Sequence, residues 1–235
     1  MIPAYNEEGS IGAVLDELQR TVPSADVVVI SDGSIDRTAA VARTRGVAVV
    51  ELPFNLGIGG ALRTAFKYAQ RNGYARAIQF DGDGQHDPTE IAALERGLAS
   101  GLDLVIGSRF ADGGEVTYQV GRVRRLAMGL LARFVRALIT PDLTDTSSGF
   151  RGFSRRSLEF FARNYPIEYL DSVEALVMAE SAGLTIGEVP VRIRERMSGE
   201  PSTRHLRLVY YYLRLLVVMT IRIGRRSNGP LEATV

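Results

Sequence analysis

Ala75-Arg76-Ala77-Ile78-Gln79-Phe80-Asp81-Gly82-Asp83-Gly84-Gln85-His86-Asp87-Pro88 joins a short apolar run to two carboxylates one residue apart. The run, Ala75–Asp81, reads as a β-strand that ends in the acidic pair. In an Asp-x-Asp triplet extended through a strand end, alternate side chains leave on the same side, so Asp81 and Asp83 can face one cation. Magnesium is usually held by one or two carboxylates plus substrate phosphate oxygens. A nucleotide-diphosphate substrate is therefore the first expectation. Taken alone, Asp-Gly-Asp-Gly reads equally well as a tight polar turn, because Asp and Gly dominate turns for backbone reasons. The chain on either side has to decide.

On either side, short β-branched runs alternate with helical patterns. Val27–Ser31 precedes a helix over Thr38–Arg45, Ala48–Leu52 precedes Ile58–Asn72, and the quoted strand precedes Thr89–Ser100 and then Leu102–Ser108. Such alternation predicts an α/β fold, a Rossmann-like and mostly parallel sheet flanked by helices. Ligands of these sheets sit beyond the carboxyl ends of the strands. Four polar clusters fall there: Pro3-Ala4-Tyr5-Asn6-Glu7, Ser31-Asp32-Gly33-Ser34, Asn55-Leu56-Gly57 and Asp81-Gly82-Asp83. Four idle turns on one sheet edge would be a coincidence. Gly57, Gly59 and Gly60 do not make a dinucleotide fingerprint, because Leu62 stands where the third glycine is required. Only Met1 and Ile2 precede Pro3, so the first strand reads as truncated, with ladder groups left to pair elsewhere or a start that lies upstream.

After Ser108 the pattern changes. Val120–Ile139 reads as a basic amphipathic helix carrying Arg122, Arg124, Arg125, Arg133 and Arg136 among its leucines. A loop over Pro141–Ser148 leads to a strand at Gly149–Ser154, helices over Arg155–Arg163 and Asp171–Ala182, and a strand at Thr185–Val191. Residues 203–223 form a second apolar and basic helix, and residues 224–235 read as a disordered tail.

Composition narrows the classes. With 235 residues, 46% of them hydrophobic, the chain can bury a full core, which excludes a disordered protein. The net charge of +1 hides an asymmetry. Residues 1–118 carry 10 Lys and Arg against 16 Asp and Glu, and residues 119–235 carry 18 against 11. The second half is thus the part suited to an anion. No nucleic-acid-binding motif is present and Trp is absent, so phosphate groups or acidic lipid are expected as partners and nucleic acid is not. There is no Cys, which rules out thiolate metal sites and a Cys nucleophile. The N-terminus has no charged segment followed by an apolar run, so no secretory signal is expected.

Taken together, Ile2-Pro3-Ala4-Tyr5-Asn6-Glu7-Glu8, Asp32-Gly33-Ser34-Ile35-Asp36-Arg37-Thr38, Asn55 to Ala61, Asp81 to Pro88 and Gly107-Ser108-Arg109 resemble the family 2 glycosyltransferases of the GT-A fold. Ser147-Ser148-Gly149-Phe150-Arg151 and Glu188-Val189-Pro190-Val191 resemble the branch of dolichol-phosphate mannosyltransferases and bacterial polyprenyl-phosphate relatives. The resemblance spans roughly residues 1 to 205 in order. It implies a GT-A domain over 1–202, followed by the amphipathic helix and the tail. It also implies that Pro3, Tyr5, Glu7 and Asp32 line the nucleotide and that Asp81, Asp83 and Gln85 bind Mg²⁺ or Mn²⁺ with the donor diphosphate. Relatives usually carry two acids where this chain has Ser31-Asp32, which leaves the base unassigned.

The acceptor decides the remaining roles. A phosphate monoester is already an anion and attacks without a side-chain base, whereas a hydroxyl needs a carboxylate to take its proton. For a polyprenyl phosphate the candidates are cations: Arg109 and Arg151 at the reacting groups, and Arg122, Arg196 and Ser198 at the acceptor phosphate, since Arg grips phosphate bidentately. For a hydroxyl acceptor, Asp171 or Glu174 would be the base, although both also read as ordinary acids at a helix N-terminus. Glu174 is a further candidate for sugar contact. The expected reaction is inverting transfer from a UDP- or GDP-linked sugar to a polyprenyl phosphate. The alternatives are a hydroxyl acceptor, or nucleotide-sugar binding without turnover. The two basic helices suggest peripheral contact with the inner, cytoplasmic face of a membrane, or else plain core packing or a homo-oligomer seam.

Overall fold

The computed structural model describes residues 1–111, 143–166 and 171–194, all within one compact unit, Met1–Gly199. The expected helices over Val120–Ile139 and 203–223, the tail over 224–235, and Arg122, Arg196 and Ser198 lie outside the described residues, as does the side chain of Asp171.

Seven strands and six α-helices are described: β1 Ile2–Ala4, α1 Ile11–Thr21, β2 Val28–Ser31, α2 Thr38–Arg43, β3 Ala48–Glu51, α3 Gly57–Arg71, β4 Arg76–Gln79, α4 Ile91–Ala99, β5 Leu104–Ser108, β6 Arg151–Ser154, α5 Arg155–Asn164, α6 Asp171–Ser181 and β7 Ile186–Pro190. β1, β2 and β3 pair in parallel in that order. β4, β6, β5 and β7 form a second set in which β6 runs antiparallel to both neighbours and β7 parallel to β5. The Met1 amine donates to the Ile78 carbonyl at 2.8 Å. The Phe80 N–H donates to the Met1 carbonyl at 3.0 Å, which lays β1 beside β4 and joins the two sets.

Pro3 explains where that junction stops. The next rung would need an N–H from Pro3, which has none. Beyond Phe80 the ladder is not continued, although Gly82 still packs beside Ile2 and Ala4 of β1. β4 also ends earlier than its sequence suggests, at Gln79, so Asp81 and Asp83 lie in the loop past the strand.

Alternation along β2 places the two cores. Val29 packs with Ile11, Val14, Leu15 and Leu18 of α1, Ala42 of α2 and Ile91, Leu94 and Leu98 of α4. Val28 and Ile30 point the other way, onto Ala61 and Ala65 of α3. The α1 residues recur at i, i+3, i+4 and i+7, one face of a helix, and each buried aliphatic side chain contributes about 1.5–3 kcal/mol. On the α3 side the core continues as aromatic rings. Phe66 meets Phe153 edge-on at 4.8 Å and lies 4.9 Å from Tyr165.

Candidate active site

The loops past β1, β2 and β3 lock into one another before any ligand is considered. Asn6 adopts a left-handed φ of 55°, and its side-chain oxygen accepts the Ile35 N–H at 2.9 Å. The Glu7 N–H donates to Thr38 Oγ1 at 2.8 Å, while the Glu7 carboxylate accepts the Ser10 hydroxyl at 2.8 Å. Asp32 is buried and accepts the Leu56 N–H at 2.8 Å. Burial pushes its carboxyl above the usual range, with the N–H groups of Leu56 and Gly57 pulling it back. Gly33, at φ 64°, runs so close to the next loop that a Cβ would stand 2.4 Å from the Asn55 nitrogen. Only glycine fits there. Tyr5 leaves the cluster with 47% of its surface exposed, a ring available for stacking. Pro3, by contrast, is buried within β1. Its part in the structure is to end the ladder, one residue before the β1 loop that carries Tyr5 and Glu7.

Past β4 the acidic pair is built as a turn, so the two readings of Asp-Gly-Asp-Gly are compatible. Asp83 is buried, and its Oδ1 accepts the Gln85 N–H at 3.0 Å. Asp81 keeps about a third of its side chain exposed. Below them His86 stacks on Phe150 at 4.7 Å and meets Phe80 edge-on at 5.3 Å. Its Nδ1 accepts the Asp81 N–H at 3.1 Å. Burial lowers the His86 pKa to about 4; the charge of Asp83 opposes this and that of Arg109 adds to it. The ring is neutral at physiological pH and works as a packing wedge under the loop. The Gln85 carbonyl accepts the Arg194 N–H at 2.8 Å, and Arg194 also pairs with Glu17 and Asp87, each at 2.8 Å.

The donors around Asp81 suit a hard divalent cation. A Cβ on Gly149 would stand 3.1 and 3.4 Å from the two Asp81 carboxylate oxygens, so glycine keeps the space against that carboxylate clear. The amide of Gln79 lies at the same spot, its Nε2 3.3 Å from that position. Its Oε1 is buried without a hydrogen-bond partner. These are oxygen ligands of the kind Mg²⁺ and Mn²⁺ prefer. Among the described residues no three His, Cys, Asp or Glu side chains form a cage.

Past β5, Arg109 meets Asp145, which the sequence reading had passed over. Asp145 is 1% exposed and accepts Arg109 Nε at 2.6 Å and Nη2 at 2.8 Å. Arg109 Nη2 also donates to Ser147 Oγ at 3.0 Å. Arg151 behaves differently from Arg109. Fully buried, it donates to the carbonyls of Ser148 at 2.8 Å and of Ser172 and Thr146 at 3.0 Å each. Its guanidinium is committed to main-chain oxygens of the 143–150 loop and the first turn of α6. This corrects the expectation of a phosphate ligand: Arg151 builds the wall on which other groups stand. Glu174 lies half-buried one turn into α6.

The structure therefore gathers Tyr5, Glu7 and Asp32 at one end of the strand edge and Asp81, Asp83 and Gln85 past β4. Arg109 stands past β5. The loop over 143–150 touches both of the latter groups, through Gly149 and Asp145. Ser-Ser-Gly-Phe-Arg had marked this loop, but nothing local in the sequence marks Asp145 as the partner of Arg109.

A family model described as Glycosyl transferase family 2 matches residues 1–161. The undecaprenyl-phosphate mannosyltransferase of Micrococcus luteus is 32% identical, over 85% of this chain and 84% of the relative. The polyprenol monophosphomannose synthase of Mycolicibacterium smegmatis is 29% identical, over 85% and 78%. A crystal structure of glucosyl-3-phosphoglycerate synthase from Mycobacterium tuberculosis, in complex with Mn²⁺, UDP-glucose and phosphoglyceric acid, matches with a TM-score of 0.65 at 25% identity, covering 85% of this chain and 71% of that one.

Proposed function

The chain belongs to glycosyl transferase family 2 and is a glycosyltransferase of the GT-A fold, and from that premise we propose that it transfers a sugar, with inversion, from a UDP- or GDP-linked donor to a polyprenyl phosphate. One arrangement carries this reading. A single loop, 143–150, abuts the Asp81 carboxylate at Gly149 and grips Arg109 through Asp145. The Asp81 carboxylate, suited to a donor diphosphate with its metal, and Arg109, suited to an acceptor phosphate, thus both lie against one piece of backbone. The names of the relatives from Micrococcus luteus and Mycolicibacterium smegmatis support the same acceptor class.

In this reading Tyr5, Glu7 and Asp32 receive the nucleoside, the ring by stacking and the acids by accepting from its polar groups. Asp81 and Asp83, with Gln85 beside them, would hold Mg²⁺ or Mn²⁺, which when bound offsets the negative charge on the diphosphate. Arg109 orients the acceptor phosphate. One phosphate oxygen attacks the anomeric carbon on the face opposite the diphosphate. The bond from that carbon to the diphosphate oxygen breaks, its electron pair leaves with the nucleoside diphosphate, and the anomeric configuration inverts. An acceptor already deprotonated at neutral pH requires no side-chain base. The enzyme would work at the periphery of the membrane that carries its acceptor, on the cytoplasmic side. Among the described residues no helix is long and apolar enough to cross a membrane.

The test is incubation with Mn²⁺, labelled UDP-glucose or GDP-mannose, and polyprenyl phosphate in detergent. Label appearing in a lipid that mild acid releases supports the proposal. Product formed only with a hydroxyl-bearing sugar acceptor overturns it.

A further inference from the structure

Glu188 lies on β7 opposite Ile106 of β5, away from the acid pair, yet its carboxylate is heavily engaged. It accepts the Thr144 N–H at 2.8 Å on each oxygen, the Thr144 hydroxyl at 2.7 Å and the Asp145 N–H at 2.8 Å. The Thr144 hydroxyl is also 2.7 Å from Ser108 Oγ, at the end of β5. Asp145, whose main chain Glu188 holds in this way, presents Oδ2 to the Arg109 N–H at 3.2 Å and to Nε at 2.6 Å, and Oδ1 to Nη2 at 2.8 Å. Ser147 closes the ring by donating to Asp145 Oδ1 at 3.1 Å. Two acidic side chains thus act in series on one guanidinium. Thr144 and Asp145 thus dock the 143–150 loop onto β7 and the end of β5, which are already paired in the ladder.

We propose that Glu188 positions Arg109 through Asp145, so that the guanidinium is already oriented when an anionic acceptor phosphate arrives; this rests on the reading of Arg109 as the residue that meets that phosphate. An Arg side chain held by a ligand alone would lose its rotamer freedom at the moment of binding. A two-point grip on Nε and Nη2 fixes the plane of the fork beforehand, which is the physical content of preorganisation. Glutamate suits position 188 because a carboxylate only accepts, and everything it meets here donates. The Gln amide has one accepting atom and would turn an NH₂ group toward N–H donors. Glu188 and Asp145 are positioning residues in this scheme. Neither has to touch substrate.

The experiment is a double-mutant cycle read on the KM for polyprenyl phosphate in detergent, with donor affinity measured in parallel by titrating Mn²⁺ and the nucleotide sugar. Glu188→Gln raises the acceptor KM about tenfold in the wild-type background, with a smaller effect on kcat and donor affinity unchanged. In an Arg109→Ala background the same change alters KM less than about twofold, because the group it positions is gone. Equal effects in both backgrounds overturn the proposal and leave the role of Arg109 intact. If Arg109→Ala itself leaves the acceptor KM unchanged, the reading of Arg109 falls and the proposal with it. Should Glu188→Gln fail to fold, Asp145→Asn, which keeps the side-chain shape and weakens the grip on Nε and Nη2, is carried through the same cycle with the same expected pattern.

Discussion

Gly149 faces the carboxylate of Asp81 more closely than an ordinary side-chain contact: a Cβ there would lie 3.1 Å from Oδ2 and 3.4 Å from Oδ1. Gly149→Ala therefore moves the Asp81 carboxylate by a few tenths of an ångström while leaving the strand ladders intact. Misplacement of a ligating group on that scale is expected to weaken Mn²⁺-dependent donor binding about tenfold. Calorimetric titration of donor in the presence of Mn²⁺ measures it. An unchanged dissociation constant in a variant of normal melting temperature would show that Asp81 has no part in holding the donor.

In the proposed reading Asp83 has two roles that one substitution separates. Its Oδ1 accepts the Gln85 N–H, and Asn can keep that bond while losing the negative charge. Asp83→Asn is therefore expected to fold normally, yet to lose turnover by at least about a hundredfold, the cost typical of removing one electrostatic partner from a reacting site. Full activity in Asp83→Asn would refute the assignment of the acid pair.

The alternation of strands and helices, and with it the placement of four polar clusters on one sheet edge, was legible in the sequence because both rest on local patterning. Helix α1 had a readable signal too, in Ile11, Val14, Leu15 and Leu18, although the reading did not use it. What stayed hidden was pairing at a distance. Arg109 and Arg151 look alike in sequence, yet one is gripped by a carboxylate 36 positions on and the other spends its donors on carbonyls. Asp145 and Glu188 find each other across 43 positions. No periodicity encodes such choices, because they follow from how loops meet after the sheet has formed.

Arg151 should thus show up in stability and not in acceptor affinity. Arg151→Met removes three donors from the carbonyls of Ser148, Ser172 and Thr146 and leaves those oxygens buried. Three main-chain carbonyls left without a donor cost about 3 kcal/mol together, at about 1 kcal/mol each. In a domain of this size that corresponds to a fall in melting temperature of roughly 6–12 °C. Thermal melts followed by circular dichroism decide the matter. An unchanged melting temperature together with a large rise in acceptor KM would restore Arg151 as a phosphate ligand.

His86 carries a pH dependence of the fold. Burial lowers its pKa from 6.5 to about 4. Between those values the unfolded chain binds a proton that the folded chain does not, so stability rises with pH across that window and falls away as the pH drops toward about 4. Urea midpoints measured from pH 5 to 8 should therefore climb to about pH 6.5 and level off above it, and His86→Phe, which keeps a ring against Phe150 and has no proton to gain, should flatten the climb. A slope that is unchanged in His86→Phe would show that the imidazole is solvated in the folded state.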